Sequence, residues 1–243
     1  MTTLSPWTPL AAGWETLFPL RQPRLDLALG LSAPGDTCLD AGCATGSLPR
    51  ALATQGRLAQ GLDLDPTFLA VARERALAEG LEVPWHEAGL LDLAQVAGGT
   101  RYELITCLGQ TLPHLLEEAD WLSFFEQARE VLAPGGRLVI QAVHDGAQPP
   151  GAARDLPALR WEGGVLERRR TMVSDTLARF ETVFRPLAGE PVTSQLMHRR
   201  MVPGAAAALL AQAGLEPGPI WADEAGSPFL ETSPGWVLVA LKP

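Results

Sequence analysis

A doubly wound α/β fold built on a mostly parallel sheet is predicted for this chain of 243 residues, and three observations carry the prediction. Residues 37–143 alternate short apolar runs with longer amphipathic ones, as strands and sheet-covering helices do. The first run, Thr37–Asp40, passes into a turn of small residues, Ala41-Gly42-Cys43-Ala44-Thr45-Gly46, and then into a helix. After Val143 the alternation stops, and three extended segments take its place.

The elements follow in order. The first 36 residues read as a helical cap with Trp14, Leu17, Phe18 and Leu20 as its apolar face. Thr37–Asp40 is a strand, Ser47–Thr54 a helix and Leu58–Leu64 a second strand. Pro66–Glu79 is a helix, with proline in its first turn and apolar residues at 68, 69, 71, 72, 76 and 77. Leu81–Trp85 is a weak strand and Leu104–Leu108 a stronger one. Glu117–Leu132 is a helix stopped by Pro134-Gly135-Gly136, and Arg137–Val143 is the next strand. Residues 146–160, rich in Gly, Pro and Ala, read as loop. Gly164–Val173, Thr176–Phe184 and Val192–Val202 form a small antiparallel insertion, with Ser174-Asp175 as a hairpin turn. Ala205–Ala213 is a helix closed by Gly214, and Ile220–Asp223 and Trp236–Leu241 are the last two strands.

Composition narrows the function classes. At 47% hydrophobic and 19% charged, the chain buries a full core. The net charge of −9 argues against nucleic acid and anionic membrane as partners. Cys38, Cys43 and Cys107 form no CxxC pair, so neither a disulfide framework nor a metal site is expected, and a reducing cytoplasm fits. Met1-Thr2-Thr3-Leu4-Ser5-Pro6 lacks the basic and apolar regions of a secretory leader. Met201–Leu215, broken by Pro203 and Gly204, is shorter than the roughly 20 residues a bilayer span requires.

The most informative segment is Asp40-Ala41-Gly42-Cys43-Ala44-Thr45-Gly46. Small residues at 42, 44 and 46 allow a ligand close to the backbone, at the amide-rich start of a helix. The spacing fits the dinucleotide fingerprint poorly, and the lysine of a phosphate-binding loop is missing, since the first lysine is Lys242. The second strand ends Gly61-Leu62-Asp63-Leu64-Asp65, about 20 residues on, where an acid is placed to accept from both ribose hydroxyls of an adenosine. Loop and acid together indicate a nucleoside cofactor with no required phosphate.

Here the chain resembles the class I S-adenosylmethionine-dependent methyltransferases. Asp40–Gly46 is similar to their D-x-G-x-G-x-G motif, and Gly61–Pro66 to their second motif. Tyr102–Leu108 fills the fourth-strand motif, and Leu132-Ala133-Pro134-Gly135-Gly136 matches the turn before the fifth strand. The resemblance implies one domain, 1–243, with a Rossmann-like seven-stranded sheet of order 3-2-1-4-5-7-6 and an antiparallel last strand. Its parts are a cap at 1–36, a cofactor-binding core at 37–144, an antiparallel lid over the acceptor at 145–202, and a final helix and strand pair at 203–243.

The resemblance also implies roles. Gly42, Ala44 and Gly46 line the methionine side of the cofactor, Asp40 braces the loop, Asp63 holds the ribose and Leu64 packs on adenine. Cys107, Leu108 and Gln110 lie under the sulfonium and carboxylate end, with Arg21 or Arg24 pairing with the carboxylate. Gly89 stands where an Asp usually binds the adenine amino group, so the backbone around Leu90 and Leu91 is expected to replace it. Cys107–Leu115 resembles more narrowly the glycine/sarcosine-type small-molecule N-methyltransferases, with Gln110 in place of the usual Asn and a three-stranded insertion after the fifth strand.

The implied reaction is methyl transfer from S-adenosylmethionine to a small-molecule acceptor at nitrogen, by in-line displacement. Methylation of oxygen and a catalytically idle cofactor-binding protein are the alternatives, and a homodimer is compatible with the sequence. Such a displacement needs mainly alignment and a dry pocket, plus a base where the acceptor must lose a proton. His114 and His144 follow the fourth and fifth strands on the ligand-binding edge, and each reads equally as a base or as a packing residue. Arg168 and Arg170 share one strand face, either as a clamp for an acceptor carboxylate or as a solvated edge. Trp14 with Phe18 either closes over the cofactor as a lid, with Trp14 also against the substrate, or caps the core.

Overall fold

The computed structural model describes residues 7–243; Met1–Pro6, where the sequence shows no leader pattern, lie outside the described residues. A 3₁₀ turn, Thr8–Gly13, and two helices, α1 (Trp14–Leu17) and α2 (Gln22–Gly30), form the cap. There follow β1 (Thr37–Ala41), α3 (Ser47–Thr54), β2 (Leu58–Asp63), α4 (Pro66–Ala78), β3 (Trp85–Glu87), α5 (Leu93–Ala97), β4 (Tyr102–Cys107), α6 (Glu118–Val131) and β5 (Leu132–Val143). Helix α4 starts where the sequence places it because Pro66 sits in the first turn and the Asp65 side chain caps Thr67 N at 2.8 Å. Helix α6 buries Trp121, Phe124, Phe125, Ala128 and Val131, one stripe at i, i+3, i+4, i+7 spacing, against the sheet. Each large side chain so buried contributes about 1.5–3 kcal/mol, which makes this helix a main support of the core.

After β5 come β6 (Ala153–Trp161), β7 (Gly164–Met172), β8 (Leu177–Pro186) and β9 (Val192–Arg199), then α7 (Pro203–Gln212), β10 (Glu216–Trp221) and β11 (Gly235–Leu241). The main sheet runs β10-β11-β5-β4-β1-β2-β3, the expected order, with β11 antiparallel to β5 and the strands β5-β4-β1-β2-β3 parallel. The lid is a second, antiparallel sheet of order β6-β7-β8-β9.

Three expectations are corrected. Residues 146–160 are not all loop: Ala153–Trp161 is an edge strand, so the lid has four strands rather than three. Its Pro157 falls in an irregularity between Leu156 and Leu159, where the ladder does without an N–H. The third strand is Trp85–Glu87, not Leu81–Trp85. The sixth begins at Glu216 rather than Ile220, because Pro217 and Pro219 are tolerated on an edge strand whose register shifts between Pro217 and Ile220.

Cap and lid pack on one another. Leu10 and Leu17 of the cap and Leu166 of β7 form one apolar cluster, joined by Trp14, Phe18, Trp161 and Phe184. The lid is tied to the core by charge. Asp145, just past β5, accepts from Arg170 Nε at 2.8 Å and Nη2 at 2.7 Å, with both side chains 4% exposed. Arg154 and Arg200 approach the same carboxylate at 3.4 and 3.7 Å. Truncating Asp145 leaves the buried Arg170 charge without its partner, which costs about 3–5 kcal/mol. Asp145→Ala is therefore expected to lower the urea midpoint and to raise amide hydrogen exchange in β7 and β8. Unchanged exchange there would show that the ion pair does not hold the lid.

Candidate active site

The turn after β1 is held by the end of β2. Gly42 N and Cys43 N both donate to Leu62 O, at 2.7 and 3.0 Å, and Ala44 N donates to Asp63 Oδ2 at 2.8 Å. Three consecutive amides thus grip two consecutive residues. Ala44 holds a left-handed conformation, φ 48°, which its amide bond to Asp63 stabilises. Gly42, at φ 85°, has a second requirement: a methyl group there would overlap the Thr111 side chain. Gly46 and Gly61 are pressed by the Trp85 ring in the same way.

Asp63 Oδ1 accepts from Asp65 N at 3.0 Å, so each carboxylate oxygen takes one amide and has a lone pair left. Burial raises the Asp63 carboxyl above its usual range, against the pull of the Asp65 and Ala44 amides. Asp40 lies beneath the loop and accepts from Thr106 Oγ1 at 2.6 Å. Burial raises its pKa to about 6, while the Thr106 bond and the charge of Arg24 act the other way. Leu64 is 72% exposed and Leu91 38%, two apolar side chains in solvent at the adenine end suggested by the motifs. Leu90 is buried, and Gly89 N is capped by Asp92 Oδ2 at 3.0 Å.

Beyond β4, Cys107 and Leu108 are buried, and burial raises the Cys107 thiol well above its ordinary value. Gln110 is left-handed, φ 72°, and its Oε1 accepts from Val143 N at 2.8 Å. Gln141 Oε1 accepts from Gly109 N at 2.8 Å, so the ends of β4 and β5 are cross-linked in both directions. Arg24 reaches this corner from α2, and its Nη1 lies 3.7 Å from where a Gly109 Cβ would be.

The two histidines occupy different surroundings. His114 meets the His198 ring edge to face, with centroids 4.6 Å apart. His198 Nδ1 lies 3.1 Å from Arg170 Nη1; arginine only donates, so Nδ1 accepts and the ring proton sits on Nε2. Burial, His114 and Arg170 together lower the His198 pKa to about 3, and burial lowers that of His114. His144 instead packs against Phe229 and lies 3.6 Å from Glu231. With Asp145, Pro149, Arg200 and Met201 it lines a cavity of about 450 Å³ at the base of the lid.

The lid arginines divide as strand alternation requires. Arg170 is bound to Asp145 and Arg169 pairs with Asp155 outside. Arg168 donates to Pro157 O at 2.8 Å and lies 6.0 Å from the Phe18 ring. Trp14 packs between Phe18 and Phe68, at 4.5 and 4.8 Å. Sequence reasoning missed His198, Asp145 and Glu224, which join the site only through strand pairing and loop packing. Among the described residues no group of three or more His, Cys, Asp or Glu could hold a metal ion, and no helix is long and apolar enough to cross a membrane.

Residues 38–136 match the methyltransferase domain family. A ubiquinone biosynthesis O-methyltransferase of Pseudomonas paraeruginosa is 31% identical over 126 residues, covering 52% of this chain and 51% of its own. The chain thus spans about half the length of the curated relatives it matches. In structure it is similar to the CcbJ methyltransferase of Streptomyces caelestis, with TM-score 0.81, 22% identity and coverage of 96% and 95% of the two chains. It is also similar to CalS10, an amino pentose methyltransferase of Micromonospora echinaspora solved with S-adenosylmethionine bound, with TM-score 0.67, 24% identity and coverage of 98% and 92%. Residues 38–136 are thus similar to a methyltransferase domain, and the chain has the fold of S-adenosylmethionine-dependent methyltransferases of known structure. The residues fit that cofactor on one observation: both Asp63 oxygens keep acceptor capacity beside a loop that the same carboxylate holds open.

Gly42→Ala combines a disfavoured backbone with the Thr111 overlap, and is expected to cost roughly 2–4 kcal/mol. Chemical denaturation reads this directly, and a loss under about 1 kcal/mol would mean that the loop relaxes around the methyl group.

Proposed function

We propose that the protein transfers a methyl group from S-adenosylmethionine to a small-molecule acceptor, with nitrogen as the receiving atom. The observation that carries this reading is the loop Gly42–Gly46 anchored on Leu62 and Asp63, with the Asp63 carboxylate beside it. The cofactor, when bound, supplies a methyl group already activated on a sulfonium. Alignment, exclusion of water and removal of a proton are then the protein's share.

In this reading Asp63 accepts from the ribose hydroxyls, and Leu64 and Leu91 cover the adenine. Leu90 supports that turn, and Asp40 with Gly42, Ala44 and Gly46 shapes the methionine side. Cys107, Leu108 and Gln110 close the floor, and Arg24 binds the carboxylate. The acceptor lies under the lid, against Trp14 and Arg168, while Arg170, tied to Asp145, braces that wall. His114, kept neutral by burial, takes the proton that an ammonium acceptor must lose before attack. His144, beside the cavity at the lid base, is the alternative base. The acting unit is one domain with its cap and lid, in the cytoplasm, with no nucleic-acid or membrane partner, as a monomer or homodimer.

Methylation of oxygen is the second reading, favoured by the identity shared with the ubiquinone biosynthesis O-methyltransferase. A labelled-methyl assay against pools of amines and of phenols decides between them, and no transfer to either, with cofactor still bound, would indicate an idle binding protein.

Two variants test the roles. Asp63→Ala is expected to weaken S-adenosylmethionine binding about 10- to 100-fold by calorimetry, the scale of hydrogen bonds to a charged group. His114→Ala is expected to lower kcat about 100-fold or more with cofactor affinity kept. The neutral imidazole is the working form, so kcat/KM falls as pH drops through the His114 pKa, below the ordinary 6.5. Full turnover in His114→Ala, or an acid limb that survives the substitution, would remove His114 as the base.

A further inference from the structure

Glu224 is a buried carboxylate that the reading above leaves unused. It lies in the loop between β10 and β11, and its side chain is 2% exposed. Asp223 Oδ1 shapes that loop by accepting from Ala225 N at 3.0 Å and Ser227 N at 3.2 Å. Glu224 takes Arg21 Nη2 on both oxygens, at 2.9 and 2.6 Å, and Arg24 Nε and Nη2 on Oε1, at 3.1 and 2.9 Å. Burial pushes its pKa up, but Arg24, its own amide and Arg21 hold it below the usual range, so it is ionised.

The geometry leaves one donor free. The guanidinium is a planar fork, and Glu224 holds the edge made by Nε and Nη2. Nη1 makes no hydrogen bond among the described residues, and it lies against Gly109, at the end of the β4 connection. Two guanidiniums on one carboxylate also leave one positive charge in excess. Asp40 senses Arg24 from beneath the loop, with its pKa raised by burial to about 6.

We propose that Glu224 is a positioning residue for cofactor binding. It locks Arg24 in the conformation that aims Nη1 at the carboxylate of S-adenosylmethionine. This rests on the reading of that cofactor and of Arg24 as its carboxylate ligand. Arg21 is the second anchor on Glu224. The loop between β10 and β11 and helix α2 thus converge on one cofactor group, although 200 residues separate Arg24 from Glu224. A competing arrangement has the opposite sign: were Glu224 a rival carboxylate that withholds Arg24, removing its charge would tighten binding.

Calorimetric titration with S-adenosylmethionine and with its decarboxylated form separates these possibilities, since the ligands differ by the carboxylate alone. The full chain is used, with the melting temperature of each variant measured. Wild type is expected to prefer the carboxylated ligand. Arg24→Gln is expected to erase that preference. Glu224→Gln is expected to weaken S-adenosylmethionine about tenfold, the scale of one charge-assisted hydrogen bond, and to leave the decarboxylated ligand within about twofold. Glu224→Asp, which keeps the charge, is expected to regain part of the loss. Equal or tighter binding of S-adenosylmethionine by Glu224→Gln overturns the proposal, as does equal weakening of both ligands. A preference that survives Arg24→Gln overturns the Arg24 assignment, and the Glu224 role with it. Failure of wild type to bind either ligand overturns the proposed function instead.

Discussion

The site depends on the grip of β2 on the turn after β1. Gly42, Cys43 and Ala44 spend their amides on Leu62 and Asp63 rather than on the first turn of α3. This bends the loop away from the strand axis and leaves a concave backbone with no side chain beyond Cβ at 42, 44 and 46. It also explains why Ala44 serves where related motifs have glycine: the bond from its amide to Asp63 offsets the cost of a left-handed alanine, about 1–2 kcal/mol. One carboxylate thus shapes the cradle while keeping lone pairs for a ligand, and its burial follows from lying between loop and strand. Trp85, packed on Gly46 and Gly61, supports the same corner from β3.

Much of this corner was legible in the sequence because it is local. The strand, small-residue turn and helix at 37–54, and the acid ending the second strand, are chemistry carried by neighbours in the chain. That the sheet is mostly parallel followed from the same alternation, whereas its strand order was what the resemblance to known methyltransferases implied. What escaped was of two kinds. Edge strands that carry proline, Ala153–Trp161 and Glu216–Trp221, look like loop in composition, because an edge strand with an irregular register tolerates a missing N–H. Long-range side-chain pairs escaped for a different reason. Nothing near Glu224 in the chain points to Arg24, and nothing near His198 points to His114; β-pairing and loop packing bring each pair together.

Charge is distributed against the average. The net −9 describes the chain as a whole, yet the lid turns a buried arginine inward and answers it with Asp145. Arg154 and Arg200 stand at the same carboxylate, so the base of the lid is locally cationic although the protein is acidic. Burial first, and then the charges of His114 and Arg170, disfavour a proton on His198. His198, bound through Nδ1 to Arg170, is held neutral, and a neutral His198 spares His114 a charged neighbour. Two histidines, one arginine and one aspartate therefore form a chain from the lid base to the turn after β4, in which burial keeps the outermost ring, His114, neutral.

The same economy governs the cap. Glu15 accepts from Thr45 Oγ1 at 2.9 Å and from Arg50 at 3.1 Å, and Thr8 donates to Asp65 at 2.7 Å, so the cap is fastened to the glycine loop and to the end of β2. Its other face shares an apolar cluster with the lid. A displacement of the cap that breaks the Glu15 and Thr8 bonds disturbs both the glycine loop and the end of β2, while a displacement of the lid takes Leu166 out of the shared cluster and Arg168 away from Phe18. The glycine loop and the lid are therefore joined through the cap as well as through the sheet. The cap's short helices, too brief to be stable alone, owe their order to those two sets of contacts.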